Sequence, residues 1–377
     1  LIETSGFLWT LLFFALAISP LIFIHEMGHY LVGRWCGVHA EAFSIGFGKP
    51  LFKWHDKRGT AWQVGWLPLG GYVKFAGDMG PTGGDNEEWL KLPPAERNRT
   101  FQSKALWQRA LIVFAGPLVN FLFAIVMLAA LFGIYGEPRI APVVGGFSET
   151  SSAQAAGMRV GDRIVAVEGQ PITRFDEIAL IVQARANRPT TFTIQRGDAR
   201  STLTITPKLE EVTDLTGVKI PTGRIGVAPA RIERVKLSLA ELPGAGINFT
   251  VQAVHTTIVA IGQIIVGDRS VKELGGPVKI ATTSNAVAQL GLVSFLFFMA
   301  MVSINLGFIN LLPIPMLDGG HLAFYAAEAV RGKPVPAAAQ EWAYRTGLVA
   351  LLGFMALVTV NDLAGLGLFT GLAGLIG

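Results

Sequence analysis

Residues 6–24 run for 19 positions without a charge, and three further uncharged apolar runs follow it. The second is 111–135, between Arg109 and Glu137. The third lies among the 38 uncharged residues separating Lys279 from Asp318. The fourth starts after Arg345 and reaches at least Val360, where Asp362 interrupts it before another apolar stretch. A helix rises 1.5 Å per residue, so the first run covers about 28 Å, close to one hydrocarbon thickness. Backbone amides in lipid must be paired within their own segment, which leaves helices or closed barrels as the spanning structures, and runs of this length specify helices. A cleaved signal peptide would need a basic leader and a small-residue cleavage site. Only Glu3 precedes the run, so it is expected to be retained. Composition agrees: 51% of residues are hydrophobic and only 15% charged, about 10 percentage points below a soluble domain.

A fifth uncharged stretch, 242–267, has a different pattern. Ile247, Val251, Val254, Ile258, Ile261 and Ile265 repeat at helical spacing, while Asn248, Gln252, His255, Thr256 and Gln263 fill the opposite side. One polar face suits a helix on the membrane surface, or one packed against other spans, better than one bathed in lipid. The expectation is an amphipathic surface helix and four spans. The formal charge of +4 comes from dispersed Lys and Arg and does not point to nucleic acid. A single cysteine, Cys36, rules out an intramolecular disulfide or a thiolate zinc finger, so any metal must be held by His, Asp or Glu.

The first run ends in His25-Glu-Met-Gly-His29. On a helix, positions i and i+4 share a face, so both imidazoles can meet one zinc ion while Glu26 stands beside it to take a proton from water. Ionisable residues at membrane depth are costly and mark function. Zinc needs a third protein ligand, and Asp318 is the candidate. It sits in Asn310-Leu-Leu-Pro-Ile-Pro-Met-Leu-Asp318-Gly-Gly-His321, where two prolines break the third span. Broken backbone at that depth is tolerated only within protein or along a watery cavity.

HExxH at the end of a first span, paired with NxxPxPxLDGGH near the end of a later one, resembles the site-2 protease family of intramembrane zinc metalloproteases, in particular its bacterial RseP-like branch. The Ala115-Gly-Pro-Leu-Val-Asn120 segment and the GFG at 46–48 belong to the same resemblance, which covers nearly the whole chain. It implies zinc bound by His25, His29 and Asp318, Glu26 as catalytic acid/base, and Asn310 with Asn305 against the substrate backbone. Parity supports the span count. If only the second and third runs cross after the HExxH, Asp318 returns to the same face as the histidines.

Between the first two spans, 43–76 is aromatic, β-branched and glycine-rich with a turn at 56–59, and reads as β-hairpins. An open strand edge beside the metal could hold a substrate made extended. The resemblance makes this a membrane-reentrant element. Residues 78–103 read as a polar connector. Residues 140–209 carry alternating short strands and helices in an order that resembles a PDZ domain, which binds chain ends by strand addition. The length leaves room for one such domain, where RseP-like enzymes often have two.

The fold class expected is therefore a polytopic α-helical membrane protein with about four transmembrane helices, a membrane-associated β-hairpin region and an inserted α+β PDZ-like domain. The divisions are 1–37 (first span), 38–105 (β region and connector), 106–136 (second span), 140–209 (PDZ-like), 210–285 (linker and surface helix) and 286–377 (third and fourth spans). The function expected is zinc-dependent regulated intramembrane proteolysis of single-span proteins, such as anti-sigma factors or remnant signal peptides. The resemblance places the chain in a bacterial inner membrane, in contact with lipid, with the PDZ-like domain periplasmic. A metal or proton transporter would show repeated halves and more spans. A membrane-anchored PDZ adaptor would leave both metal motifs without purpose.

Overall fold

A computed structural model of the chain describes residues 4–77, 91–183, 185–213, 219–267 and 275–365. Residues 78–90 of the expected connector, and the apolar stretch beyond 365, lie outside the described residues. The chain divides into two compact units, one formed by 1–128, 246–257 and 270–377, the other by 129–245 and 258–269.

The first unit opens with α1 (Thr4–Trp35), which contains the HExxH, then β1 (Ala40–His55) and β2 (Ala61–Phe75). These two long strands each bend and fold over. Residues 42–45 pair antiparallel with 71–74, and 52–55 pair with 61–64, which also lie beside 42–45. Gly46, Gly48 and Gly70, all at positive φ, make the bends possible. The hairpin expected there is present, and its 71–74 segment is an edge. After the single turn α2 (Pro94–Arg97), α3 (Leu106–Tyr135) follows. Tyr30, Phe43, Phe75, Phe101 and Ile112 form a buried cluster joining α1, the strands and α3.

The second unit holds β3 (Glu137–Ile140), β4 (Val144–Phe147), α4 (Ser152–Ala155), β5 (Arg163–Val167), β6 (Gln170–Pro171), α5 (Phe175–Gln183), β7 (Thr190–Arg196), β8 (Ala199–Ile205), β9 (Lys208–Thr213), β10 (Lys219–Arg224), β11 (Val227–Pro229) and β12 (Ile232–Val235). Its main sheet has the order β6-β5-β7-β8. Val144, Met158, Ile164, Phe192, Ile194 and Ile205 form its core. The sequence reading ended this unit at 209 and gave the next residues to a linker. In the structure β11 returns to pair with β4, and β12 with β3, so the strands of this unit run on to Val235. Strands of three and four residues carry too little pattern to be read from sequence.

The remaining helices are α6 (Leu242–Val266), α7 (Pro277–Gln289), α8 (Leu292–Asn310), α9 (Asp318–Arg331) and α10 (Ala337–Gly365). Among the described residues, five helices are long and apolar enough to cross a membrane: α1, α3, α6, α8 and α10. That is one more than the four expected, and the addition is α6. Its 246–257 part does not stand apart on a surface. A side chain at Gly246 would strike the Ile125 carbonyl oxygen of α3 at 2.7 Å, Phe249 meets Phe297 of α8 edge to face, and Thr257 donates to Asn305 Oδ1 at 3.2 Å. The contact to Asn305 comes from Thr257, which is not one of the polar-side residues; of those, Gln252, His255 and Thr256 are exposed. Asp362, the interruption in the last run, is buried in α10 and accepts from the backbone amides of Gly276 and Lys279 at 3.0 and 2.9 Å. It caps the start of α7, whose first amides have no partner within the helix.

Candidate metal centre

His25 and His29 share a face of α1 where that helix crosses α3, with Glu26 beside them. The crossing is antiparallel. His29 Nδ1 lies 2.9 Å from the Ile112 carbonyl oxygen, and His25 Nδ1 lies 3.0 Å from the Asn120 side-chain amide, two turns further along α3. The helices come close because small residues face each other. A Cβ at Gly28 would stand 2.5 Å from the Ala115 carbonyl oxygen, and one at Gly116 would overlap the His29 imidazole. Gly116 thus leaves the space that His29 occupies.

Asp318 arrives from a different part of the chain. After α8 ends at Asn310, residues 311–317 turn through Pro313 and Pro315, and Met316 takes a φ of 81°, a left-handed conformation that L side chains rarely adopt. Then α9 begins with Asp318. Side chains at Gly319 and Gly320 would collide with backbone oxygens of this same turn, at Leu312 and Ile314, so the two glycines let α9 start pressed against the broken segment. Arg109 of α3 holds α9 in register: its Nη2 donates to Glu328 at 2.8 Å, and its guanidinium lies 5.2 Å from the centre of the Tyr325 ring. His321, one turn past Asp318, bonds the Tyr344 hydroxyl of α10 at 2.8 Å, and burial pushes its pKa down, favouring the neutral ring.

The outcome is a cluster of three electron-rich atoms. His25 Nε2 lies 3.2 Å from both Asp318 Oδ2 and His29 Nε2, and His29 Nε2 lies 3.6 Å from Asp318 Oδ2. The side chains are 10, 12 and 18% exposed. Asp318 Oδ2 is buried without a hydrogen-bond partner. Ligand atoms about 2.0–2.1 Å from a tetrahedral zinc stand about 3.3 Å apart, so this donor set and spacing fit zinc. Two nitrogens and one oxygen also leave a fourth position open, as hydrolytic zinc sites require. Among the described residues this is the one group of three or more His, Cys, Asp or Glu able to share an ion.

Glu26 is 9% exposed and lies against the hairpin: a Cβ at Gly71 would stand 3.0 Å from its Cγ. The 71–74 edge is therefore beside the acid and the cluster. The two asparagines expected at the substrate both lie on α8. Asn310 closes α8 just before the broken segment, whereas Asn305 is engaged by Thr257 of α6. Sequence reading missed Asn120 as a neighbour of the site. Its segment was singled out, and a polar side chain within an apolar run is itself a signal. Nothing local, however, shows which histidine it meets.

Comparison with known proteins agrees with this geometry. The model of peptidase family M50 matches residues 13–354. A protein of Agrobacterium fabrum, named "Putative zinc metalloprotease Atu1380", is 42% identical over 358 residues, covering 94% of this chain and 95% of its own. Metalloprotease MmpA of Caulobacter vibrioides is 36% identical over 396 residues, covering 98% of this chain and 99% of its own. A match of this extent, with both metal motifs inside it, means that the chain belongs to peptidase family M50, the site-2 protease family.

Proposed function

We propose that this M50 peptidase, a zinc metalloprotease, hydrolyses peptide bonds in or beside the transmembrane segments of single-span membrane proteins. The observation that carries the reading is the gathering of His25, His29 and Asp318 on helices of an apolar bundle, with Glu26 and an open strand edge beside them. His25, His29 and Asp318 hold the zinc. Bound there, zinc supplies a Lewis acid that polarises the scissile carbonyl and acidifies water. Glu26 takes the proton from the attacking water and returns it to the leaving amine. Asn310, and Asn305 once released from Thr257, hold the substrate backbone. A substrate helix hides its peptide bonds in its own hydrogen bonds and must unwind first; the 71–74 edge offers the extended strand a partner.

Four helices, α1, α3, α8 and α10, cross the inner membrane in this proposal, and α6 is tucked against the bundle. The 13 residues of α7 cover about 20 Å and are too short to return the chain across 30 Å of hydrocarbon. A crossing by α6 would then start α8 on the wrong side for Asp318 to reach the histidines. The 137–235 unit is PDZ-like, faces the periplasm and takes an extended chain end by strand addition. Its β11, which pairs with β4 alone among the described strands, supports this. Regulated intramembrane proteolysis of anti-sigma factors or remnant signal peptides is the expected use.

Glu26→Gln separates binding from chemistry. The variant should retain zinc and lose cleavage of a membrane-embedded reporter by about 10²–10⁴-fold. Wild-type cleavage by a zinc-loaded Glu26→Gln protein would remove Glu26 from the mechanism.

A further inference from the structure

The two imidazoles of the HExxH are each met from behind by a different kind of group on α3, and the difference has a chemical consequence. Behind His29 stands a carbonyl oxygen, Ile112 O, 2.9 Å from Nδ1. A carbonyl can only accept, so His29 carries its proton on Nδ1 and presents a bare Nε2 to the cluster. Behind His25 stands the Asn120 side chain, fully buried, with its amide Nδ2 placed 3.0 Å from Nδ1 and its Oδ1 buried without a partner.

A neutral imidazole has one N–H. Were Nδ2 the atom facing His25, Nδ1 would have to accept, and the ring proton would move to Nε2. It would then point among His29 Nε2 and Asp318 Oδ2, both 3.2 Å away. A protonated Nε2 has no lone pair for a metal. Turning the amide by 180° exchanges its two ends within the same volume. Oδ1 then faces Nδ1 and accepts its proton, and His25 Nε2 becomes a free donor like that of His29.

We infer that Asn120 is a positioning residue whose carbonyl oxygen accepts the His25 Nδ1 proton and so fixes the imidazole in its metal-binding tautomer. The inference rests on the reading of His25, His29 and Asp318 as zinc ligands. Metal-ligating histidines characteristically donate their second ring N–H to a carbonyl or carboxylate, and α3 would supply both acceptors. The backbone around Asn120 is itself fixed: its main-chain carbonyl accepts from the buried Ser303 hydroxyl of α8 at 2.9 Å. The register between α3 and α8 therefore sets the height at which the amide meets the ring.

Zinc affinity of the full-length protein in detergent, measured against a competing chelator, tests the assignment without relying on catalysis. Asn120→Asp keeps an acceptor and has no donor, so it should bind zinc within about threefold of wild type, or more tightly. Asn120→Leu keeps the volume and removes the acceptor, and should bind 10–100-fold more weakly. An Asn120→Asp protein that folds yet binds as weakly as Asn120→Leu would mean a donor is needed, and would overturn the inference. So would Asn120→Leu binding like wild type.

Should Asn120→Leu fail to fold, the imidazole ¹⁵N resonances of metal-free wild type decide instead. Nδ1–H on His25 is expected, and Nε2–H overturns the inference. If wild type itself binds no zinc, the reading of the triad falls and takes this one with it. If wild type binds zinc and neither Asn120 variant changes it, this inference alone fails.

Discussion

Asp318 and Asp162 are both carboxylates tucked into the protein, and their surroundings are opposite. Asp162, in the second unit, is 1% exposed, and both of its oxygens accept hydrogen bonds. Arg196 Nε and Nη2 donate at 2.7 and 2.8 Å, and the Arg159 amide donates at 2.7 Å. Asp318 faces two imidazole nitrogens, and its Oδ2 has no donor. A carboxylate surrounded by donors is complete within the chain and holds the fold together. One set among other acceptors is incomplete until a cation joins it. Burial alone therefore does not mark a functional acid; what matters is whether the chain already answers its charge.

The largest effect should come from breaking the incomplete one. Asp318→Asn keeps shape and removes charge, and should cost at least about 100-fold in zinc affinity, with cleavage lost in proportion, while helical content and thermal unfolding stay near wild type. A chelator-competition titration beside a melting curve checks both halves. Loss of fold instead of metal would erase the contrast.

Asp162→Asn should do the reverse. Breaking its pair with Arg196 should destabilise the second unit by about 2–3 kcal/mol. That is near the lower end for a buried pair because the Arg196 side chain is 40% exposed. Protease sensitivity of 137–235 should rise, and zinc binding should be unchanged. The same carboxylate sets an acid limit. Burial raises its pKa, but the Arg196 bonds and the Arg159 amide outweigh burial and hold it below the ordinary value. A folded value below the unfolded one, about 3.9, means the stabilisation is complete above that pH and is lost as pH falls through the lower folded value. Asn at 162 should flatten this acid branch, which amide hydrogen exchange of the β5 and β7 core at a series of acid pH values would register.

Asp362 gives the smallest contrast. It accepts from the backbone amides of Gly276 and Lys279, so Asp362→Ala should loosen the start of α7 by about 1–2 kcal/mol, and Asp362→Asn, which keeps an acceptor, by less than half of that. Hydrogen exchange at Lys279 and Ile280 would follow it. Equal loss in both variants would show that charge, not the acceptor, matters there.

These three aspartates also show what the sequence could and could not tell. Asp318 was legible because prolines broke an apolar run around an acid, and a broken run at that depth demands a reason. The HExxH was legible because its geometry is local, one helical turn. Asp162 and Asp362 are opaque: neither shows its partner locally, and the second reads only as an interruption of an apolar run, since their partners lie 34 and more than 80 positions away. Asn120 was opaque in the same way, because only the antiparallel crossing of α1 and α3 brings it to His25. The polar side of α6 points to a surface helix or one packed on other spans, yet periodicity cannot show that Thr257, outside that side, meets Asn305. The β11 and β12 returns escaped because strands so short carry no alternation to count.

In the candidate metal centre, Asp318 follows His29 by 289 residues along the chain. During synthesis, at about 5–20 residues per second, a growing chain would carry the two histidines for roughly 15–60 s before Asp318 is made. Once α3 is complete at Tyr135, 183 residues before Asp318, α1 and α3 can already be paired with the α1 imidazoles oriented. Under the proposed zinc reading, a nascent chain is thus an incomplete chelator and cannot act as a hydrolase until Asp318 has been made.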